Sequence, residues 1–183
     1  MKEIPNTLSR NIIRYKGLNL RLQVKLKKDD GKTFHNEYKF GDKSFLRLDP
    51  IVYLILELDK VNDEYCQDRS IIIGQGNIHI YIKKMKKLIS DIYKEDIFAT
   101  KGNEIIVYSD MSRKFTSIVQ VPGTNQGLVM VPAVIYDEND VSYEGVNLYF
   151  NKTENVIGLS IDEFEGLAYA IEHVDLFTYS QAL

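Results

Sequence analysis

The sequence has little of what disulfide-linked and membrane-spanning proteins need. Its 183 residues include a single cysteine, Cys66, so no disulfide can form within the chain. No apolar run approaches the roughly 18–20 residues that cross a bilayer, and residues 1–17 lack the apolar stretch of a signal peptide. We therefore expect a cytoplasmic protein without membrane contact, and we interpret Cys66 as a loop or core residue.

Catalytic and metal-binding motifs are also missing. His35, His79 and His173 stand singly in unrelated segments, and the chain has no HxxxH, no CxxC and no Gly-rich phosphate loop. Residues 137–140 (DEND) have the composition of a cation loop but lack the glycine and the distant glutamate of an EF-hand, so we interpret them as a hairpin turn. We expect no enzymatic activity, no cofactor and no metal site.

Charge is divided unevenly along the chain, whose formal net charge is −3. Residues 1–98 hold 19 basic and 14 acidic side chains, whereas residues 99–183 hold 4 and 12. The contrast is sharpest between two helix-like segments, a lysine-rich one at 82–92 and an acidic one at 161–171. Such helices could dock within one chain or between chains. Two solvated helix faces that never meet would carry the same pattern.

Period-two alternation predicts strands before the first of these helices. In the clearest strand, Leu18 to Lys27, leucine and valine alternate with polar residues, as in a half-buried antiparallel strand. Before it we expect a polar arm. After it, the pattern predicts a turn at 29–32, strands at 33–40, 45–58 and 70–74, and a helix over 78–93.

The second half of the chain repeats this order. Strands are predicted at 103–110, 114–122, 127–137 and 141–151. A helix then starts near Ser160, which forms a capping-box signature with Glu163. Pro50 and Pro132 occupy similar places in the two third strands, and we expect both at a bulge or a sheet edge because proline cannot donate to a central ladder.

The two helix-like segments align without a gap at an offset of 79 residues. Their apolar residues then coincide, pairing Ile82 with Ile161, Met85 with Phe164, Leu88 with Leu167, Ile89 with Ala168 and Ile92 with Ile171. The pattern predicts an α+β fold of two β-β-β-β-α repeats, with curved antiparallel sheets each backed by a helix. We place an arm at 1–16 and repeats at 17–98 and 99–183, packed as one compact body. Any two amphipathic helices can be aligned on their apolar stripes, so unrelated helices stay an alternative.

The polar sides of two predicted strands combine cations, amides and tyrosines. Exposed aromatic rings can stack on unpaired bases, and lysine and arginine neutralise phosphates. Asn151 falls on the same side of its strand as Tyr149. The candidate nucleic-acid contacts are Arg21, Gln23, Lys25, Lys27, Tyr143, Asn147 and Tyr149. An ordinary solvated sheet would show the same composition, since tyrosine favours strands.

The sequence GVNLYFNKTENVIGLSIDEFEGLAYAI at 145–171 resembles the positive cofactor four transcriptional coactivators, in which a G-(I/V)-x-L-(S/T) motif leads from a last strand into a helix. The residues at that position are Ile157, Gly158, Leu159, Ser160 and Ile161, followed by Asp162, Glu163 and Phe164. The duplicated order is similar to the Whirly group, although the lysine-rich KGKALLK-like stretch of that group is absent. The resemblance implies single-stranded-DNA binding on curved sheets by an oligomer, with viral proteins of this fold as natural relatives.

These observations lead to one leading hypothesis. We expect a non-enzymatic, largely sequence-independent single-stranded-DNA-binding protein that forms homo-oligomers and acts in replication, recombination or transcription. RNA is an open alternative ligand, and a viral chain would act in the host cytoplasm. The competing hypothesis is a protein-interaction or assembly module, such as a viral regulator or structural accessory, that binds no nucleic acid.

Overall fold

The computed structural model describes residues 7–15, 17–26, 28–29, 32–33, 35–40, 43–48, 50–59, 69–74, 76–120 and 126–174. Side chains are described from residue 54 onward within these ranges and, before it, at residues 12 and 17–22. Lys27, Cys66 and most of the polar loop at 59–69 lie outside the described residues.

Strands dominate the first part of the chain, and one long helix ends it. The elements up to residue 94 are β1 (Thr7–Tyr15), β2 (Leu18–Leu26), β3 (Lys28–Asp29), β4 (Lys32–Thr33), β5 (His35–Phe40), β6 (Lys43–Leu48), β7 (Pro50–Leu58), β8 (Ser70–Gly74) and α1 (Ile78–Lys94). The later elements are β9 (Phe98–Lys101), β10 (Glu104–Val107), α2 (Ser109–Lys114), β11 (Ser117–Gln120), β12 (Gly127–Tyr136), β13 (Ser142–Phe150), β14 (Val156–Ser160) and α3 (Ile161–Glu172). The α+β class with antiparallel sheets is confirmed.

The first sheet has the order β1-β2-β7-β8 and is antiparallel throughout. The alternation predicted for β2 holds where side chains are described, because Leu18, Leu20 and Leu22 are buried while Asn19 and Arg21 lie on the other face. Leu20 pairs with Leu56, which is also buried. Each leucine buried in this way contributes about 2 kcal/mol, so the alternation fixes which face of the sheet meets the core.

The predicted N-terminal arm contains a strand. β1 pairs with β2 along its length, and the register shifts between Asn11 and Ile13. An extra residue of this kind moves the following side chains to the opposite face, so the period-two pattern is broken in the sequence. Between β2 and β7 the chain forms two separate hairpins, β3–β4 and β5–β6.

The second sheet has the order β11-β12-β13-β14. Its core-facing residues are fully buried and include Leu128, Met130, Val146, Leu148, Phe150 and Leu159. The membership of this sheet differs from the prediction. The segment expected as its first strand, 103–110, contributes β10 to a separate hairpin with β9, and β14 is an additional strand.

Pro132 lies in β12 just beyond the end of its pairing with β11. The β11–β12 ladder ends at Met130, and the carbonyl of Pro132 instead accepts a hydrogen bond from Ser112 Oγ at 2.9 Å. The expectation of a bulge or a sheet edge is therefore met at Pro132 only locally, because β12 is an inner strand of its sheet, and Pro50 begins β7, an inner strand of the other.

The two long helices bury matching residues. At the offset of 79, the buried residues Met85, Leu88 and Ile92 of α1 coincide with Phe164, Leu167 and Ile171 of α3. The capping box at α3 is confirmed, since Ser160 Oγ accepts from Glu163 N at 3.3 Å and Glu163 Oε1 accepts from Ser160 N at 3.2 Å.

α1 and α3 contact each other within the chain. An ion pair joins Lys86 Nζ to Glu172 Oε1, and the Tyr93 hydroxyl donates to Glu165 Oε1. Residues of both sheets and both helices form one hydrophobic cluster. One lysine of α1 therefore pairs with an acidic residue of α3 inside one protomer. No helix among the described residues is long and apolar enough to cross a membrane.

Side-chain amides close the outer edge of β8. Asn151, with a φ of 54°, donates from Nδ2 to Ser70 O at 2.8 Å and accepts at Oδ1 from Gly127 N at 3.1 Å. Gln126 Oε1 accepts from Ile72 N at 3.2 Å. Asn151 thus joins the two sheets, rather than lying on the surface beside Tyr149 as the alternation suggested.

Candidate nucleic-acid interface

The face of the second sheet turned away from α1 and α3 is the principal candidate surface, here called the open face. Strand pairing places on it Ile118, Gln120, Val129, Val131, Ala133, Ile135, Tyr143, Gly145, Asn147, Tyr149, Val156 and Gly158. None of these residues is charged. Ile118, Val156 and Tyr143 are 54%, 44% and 42% exposed. The open face therefore offers apolar and aromatic surface to a partner.

Two glycines let Ile135 lie flat across the open face. A Cβ added at Gly145 would collide with Ile135 Cγ1 and Leu159 O, and one added at Gly158 would lie 2.6 Å from Ile135 Cδ1. Cβ atoms do not approach other heavy atoms so closely. Any side chain at either glycine would displace Ile135, so the two glycines set the shape of the open face at this end.

Tyr143 is held by the turn between β12 and β13. Its hydroxyl donates to Asp137 Oδ2 at 3.1 Å, while Asp137 Oδ1 accepts from Asn139 N at 2.8 Å and Val141 N at 2.9 Å. The interpretation of residues 137–140 as a hairpin turn is confirmed. Its first carboxylate orients Tyr143, whose ring remains partly exposed.

Asn147 and Tyr149 carry polar groups that no other described residue satisfies. Both side chains are half-buried, and within the described part of the chain neither the Asn147 amide nor the Tyr149 hydroxyl has a hydrogen-bond partner. Asn147 Oδ1 would lie 3.0 Å from a Cβ at Gly158, so the glycine leaves room around the amide. A side-chain amide offers two donors and an acceptor, the groups that hydrogen-bond to the edges of nucleobases.

The candidates on the first sheet are arranged differently. Arg21 Nε donates to Glu57 Oε1 at 2.9 Å, so much of its charge is balanced by a carboxylate on the neighbouring strand. Gln23 and Lys25 pair in register with Tyr53 and Ile51, and their side chains are outside the described set. The candidates of β2 and those of β13 lie on different sheets.

A cationic area that the sequence reasoning did not assign to binding lies on α1 and α2. We call Lys83, Lys84, Lys87 and Lys114 the lysine surface. Lys83, Lys84 and Lys87 line a groove of about 320 Å³ with His79 and Ile80, and Lys84, Lys87 and Lys114 line a neighbouring groove of about 140 Å³ beside Thr116 and Ser117. The signal in the sequence is the lysine run itself, for which the sequence left two interpretations open, a docking face within or between chains and a solvated helix face.

A third cavity, of about 410 Å³, lies at the turn end of the second sheet and is acidic. It is lined by Ile105, Ile135, Tyr143 and four carboxylates, those of Asp137, Glu144, Asp162 and Glu163. Asp137 and Glu163 are engaged by backbone N–H groups of the turn and the helix cap. Among the described residues no group of His, Cys, Asp and Glu is arranged to hold a metal ion.

Hydrogen bonds at the α1–α3 contact shift two pKa values. The bond to Glu165 raises the pKa of Tyr93 to about 12. The bond from Lys86 lowers the pKa of the Glu172 carboxyl. Both shifts reflect the pairing of the helices and leave the open face untouched.

No protein-family model matches the chain, and no curated protein and no solved structure matches it either.

Proposed function

We propose that the protein is a non-enzymatic, largely sequence-independent single-stranded-DNA-binding protein that holds unpaired bases on the open face. The observation that carries this proposal is a sheet face whose strand residues are uncharged, with the exposed Tyr143, the half-buried Tyr149 and, between them, the Asn147 amide, which has no partner among the described residues. The acidic cavity borders only the turn end of this face. Base–aromatic stacking tolerates any base. RNA, which presents the same base surfaces, is the open alternative ligand.

The mechanism follows from the strand geometry. Tyr143, Asn147 and Tyr149 are separated by four and two positions, so their side chains lie on one face of β13 and form a row along the strand. Tyr143 and Tyr149 supply rings for stacking, and Asn147 supplies donors and an acceptor to base edges. Arg21, Gln23, Lys25 and Lys27 stay candidate contacts on the other sheet, with Arg21 already paired to Glu57.

Substitution of Tyr149 tests the proposal. In fluorescence-anisotropy titrations with labelled oligothymidine, Tyr149→Ala should weaken binding about 5- to 150-fold, the equivalent of losing roughly 1–3 kcal/mol of stacking. Tyr149→Phe keeps the ring and should bind as the wild type does. The matched control is Tyr136→Ala, because Tyr136 is 57% exposed at the end of β12 and falls on the opposite face of the strand.

Circular dichroism of each variant separates binding from folding. Equal affinities for Tyr149→Ala and wild type would contradict the proposal, as would equal losses in Tyr149→Ala and Tyr136→Ala. If the wild type binds no oligothymidine at low salt, and Tyr149→Ala instead changes the sedimentation coefficient, the competing function as a protein-interaction module is favoured. That function draws its support from the exposed Ile118 and Val156.

The proposal includes an internal duplication. Each four-stranded antiparallel sheet is connected in sequence order and is followed by a helix, and the buried residues of α1 and α3 coincide at one offset. This arrangement supports two β-β-β-β-α repeats with hairpins inserted between and within them. The proposal also includes assembly into homo-oligomers and action in the cytoplasm, or in the host cytoplasm for a viral chain. Sedimentation velocity tests the assembly.

A further inference from the structure

Within the described part of the chain, the lysine surface combines several cationic side chains in one place. The chain carries a net charge of −3, yet four lysines from two helices line two adjoining grooves. Among the described residues, the one carboxylate that lines either groove is that of Asp91, which pairs with Lys87 at 2.7 Å. Local positive potential on an acidic protein directs anions to one place.

Most of this charge is unpaired. Lys83, Lys84 and Lys114 have no carboxylate partner within the described residues, and Lys114 Nζ lies 5.2 Å from the centre of the Phe115 ring. Lys86, by contrast, faces α3 and pairs with Glu172. One side of α1 therefore contacts α3, and the other side presents its lysines to the solvent.

The grooves border the strand at the edge of the open face. Thr116 and Ser117 line the smaller groove. Ser117 begins β11 on the core face, and the next residue, Ile118, is exposed on the open face. β11 is the outermost strand on that side of the sheet. A polymer that crosses the open face toward β11 leaves the sheet beside the lysine surface.

We propose that the lysine surface binds the phosphate backbone of the nucleic acid whose bases occupy the open face, an inference that rests on the proposed function for its ligand. The open face has tyrosine rings on which bases can stack and no charged strand residue, whereas the lysine surface has charge and only the rings of Phe115 and His79. A nucleic-acid strand that bends round the β11 edge would place its bases on one surface and its phosphates on the other. The ammonium groups act as point charges that replace condensed counterions.

The test measures salt dependence with labelled oligothymidine. Substituting Lys83, Lys84 and Lys114 together by glutamine removes three charges and keeps helix propensity nearly unchanged. The slope of log K against log salt for a single strand should become shallower by about 2, and affinity at low salt should fall at least about tenfold. The control replaces three exposed lysines that line neither groove, Lys94, Lys101 and Lys152, by glutamine.

The outcomes separate this inference from the proposed function. An unchanged slope in the Lys83, Lys84 and Lys114 variant, or an equal change in the control, overturns the inference while loss of binding in Tyr149→Ala sustains the function. A third outcome is a shallower slope in the lysine variant while Tyr149→Ala binds as the wild type does and duplex DNA binds as tightly as oligothymidine. It would support the lysine surface and contradict base binding on the open face. Tighter binding of a labelled polyglutamate peptide than of oligothymidine overturns the choice of phosphate, and absence of DNA binding at low salt overturns both proposals.

Discussion

At the scale of single residues, Tyr81 is the least satisfied polar side chain of the core. It is fully buried in α1, and its hydroxyl has no hydrogen-bond partner among the described residues. An unsatisfied buried hydroxyl costs about 1–3 kcal/mol. Tyr81→Phe should therefore raise the free energy of unfolding by about 1 kcal/mol, measured by urea denaturation near neutral pH.

The same substitution should change the response to alkali. Burial raises the pKa of Tyr81 from 10.0 to about 12. Between these values the unfolded chain loses the phenolic proton while the folded protein keeps it, so stability falls as pH rises. In Tyr81→Phe the fall above pH 10 should be shallower than in wild type. A lower stability of Tyr81→Phe at neutral pH would mean that the hydroxyl is satisfied after all.

Tyr149 and Asn151 show how far the position of a side chain could be predicted from the sequence. Tyr149 was assigned to an accessible face correctly because alternation alone decides the direction of a side chain within a strand. Asn151 was not, because it lies one residue beyond β13 in a left-handed conformation that ends the alternation. Its role depends on Ser70, 81 residues away, and no local pattern contains that contact.

At the scale of elements, the Asn151 amide makes one of the polar contacts between the two sheets. Asn151→Asp keeps the acceptor for Gly127 N and tolerates the left-handed backbone, but it removes the donor to Ser70 O and places a carboxylate against that carbonyl. The free energy of unfolding should fall by about 1–3 kcal/mol. Asn139→Asp, at an exposed turn, is the control with the same change in charge. Equal stabilities of the two variants would show that the Asn151–Ser70 bond contributes nothing.

Long elements were predictable and short ones were not. α1 and α3 carry apolar stripes over several turns, and β12 is an almost continuous apolar segment of ten residues. α2 has six residues and buries none of them, so it leaves no hydrophobic stripe. Only Asp110 in its first turn and Arg113 and Lys114 in its last, which suit the helix dipole, could have indicated it. β14 was not predicted as a strand because its sequence, VIGLS, continues into the N-cap of α3 without a turn between them.

At the scale of the whole molecule, both halves of the chain share one core. Leu20 and Leu56 of the first sheet belong to the same hydrophobic cluster as Met130 and Leu148 of the second. We therefore expect one cooperative unfolding transition, with calorimetric and van't Hoff enthalpies equal. A fragment comprising residues 99–183 would expose its side of the core and should show no cooperative transition. Two resolved transitions in the full chain would contradict a shared core.

β8 is the last strand of the first sheet, and side chains rather than another strand hydrogen-bond to its outer edge. Edge strands present free N–H and C=O groups, and these can recruit strands from other molecules into growing aggregates. On β8, Ser70 O is taken by Asn151 and Ile72 N by Gln126. A foreign strand would have to displace both amides before it could hydrogen-bond there. The hydrogen bonds by which Asn151 and Gln126 connect the two sheets therefore also hinder the addition of further strands to this edge.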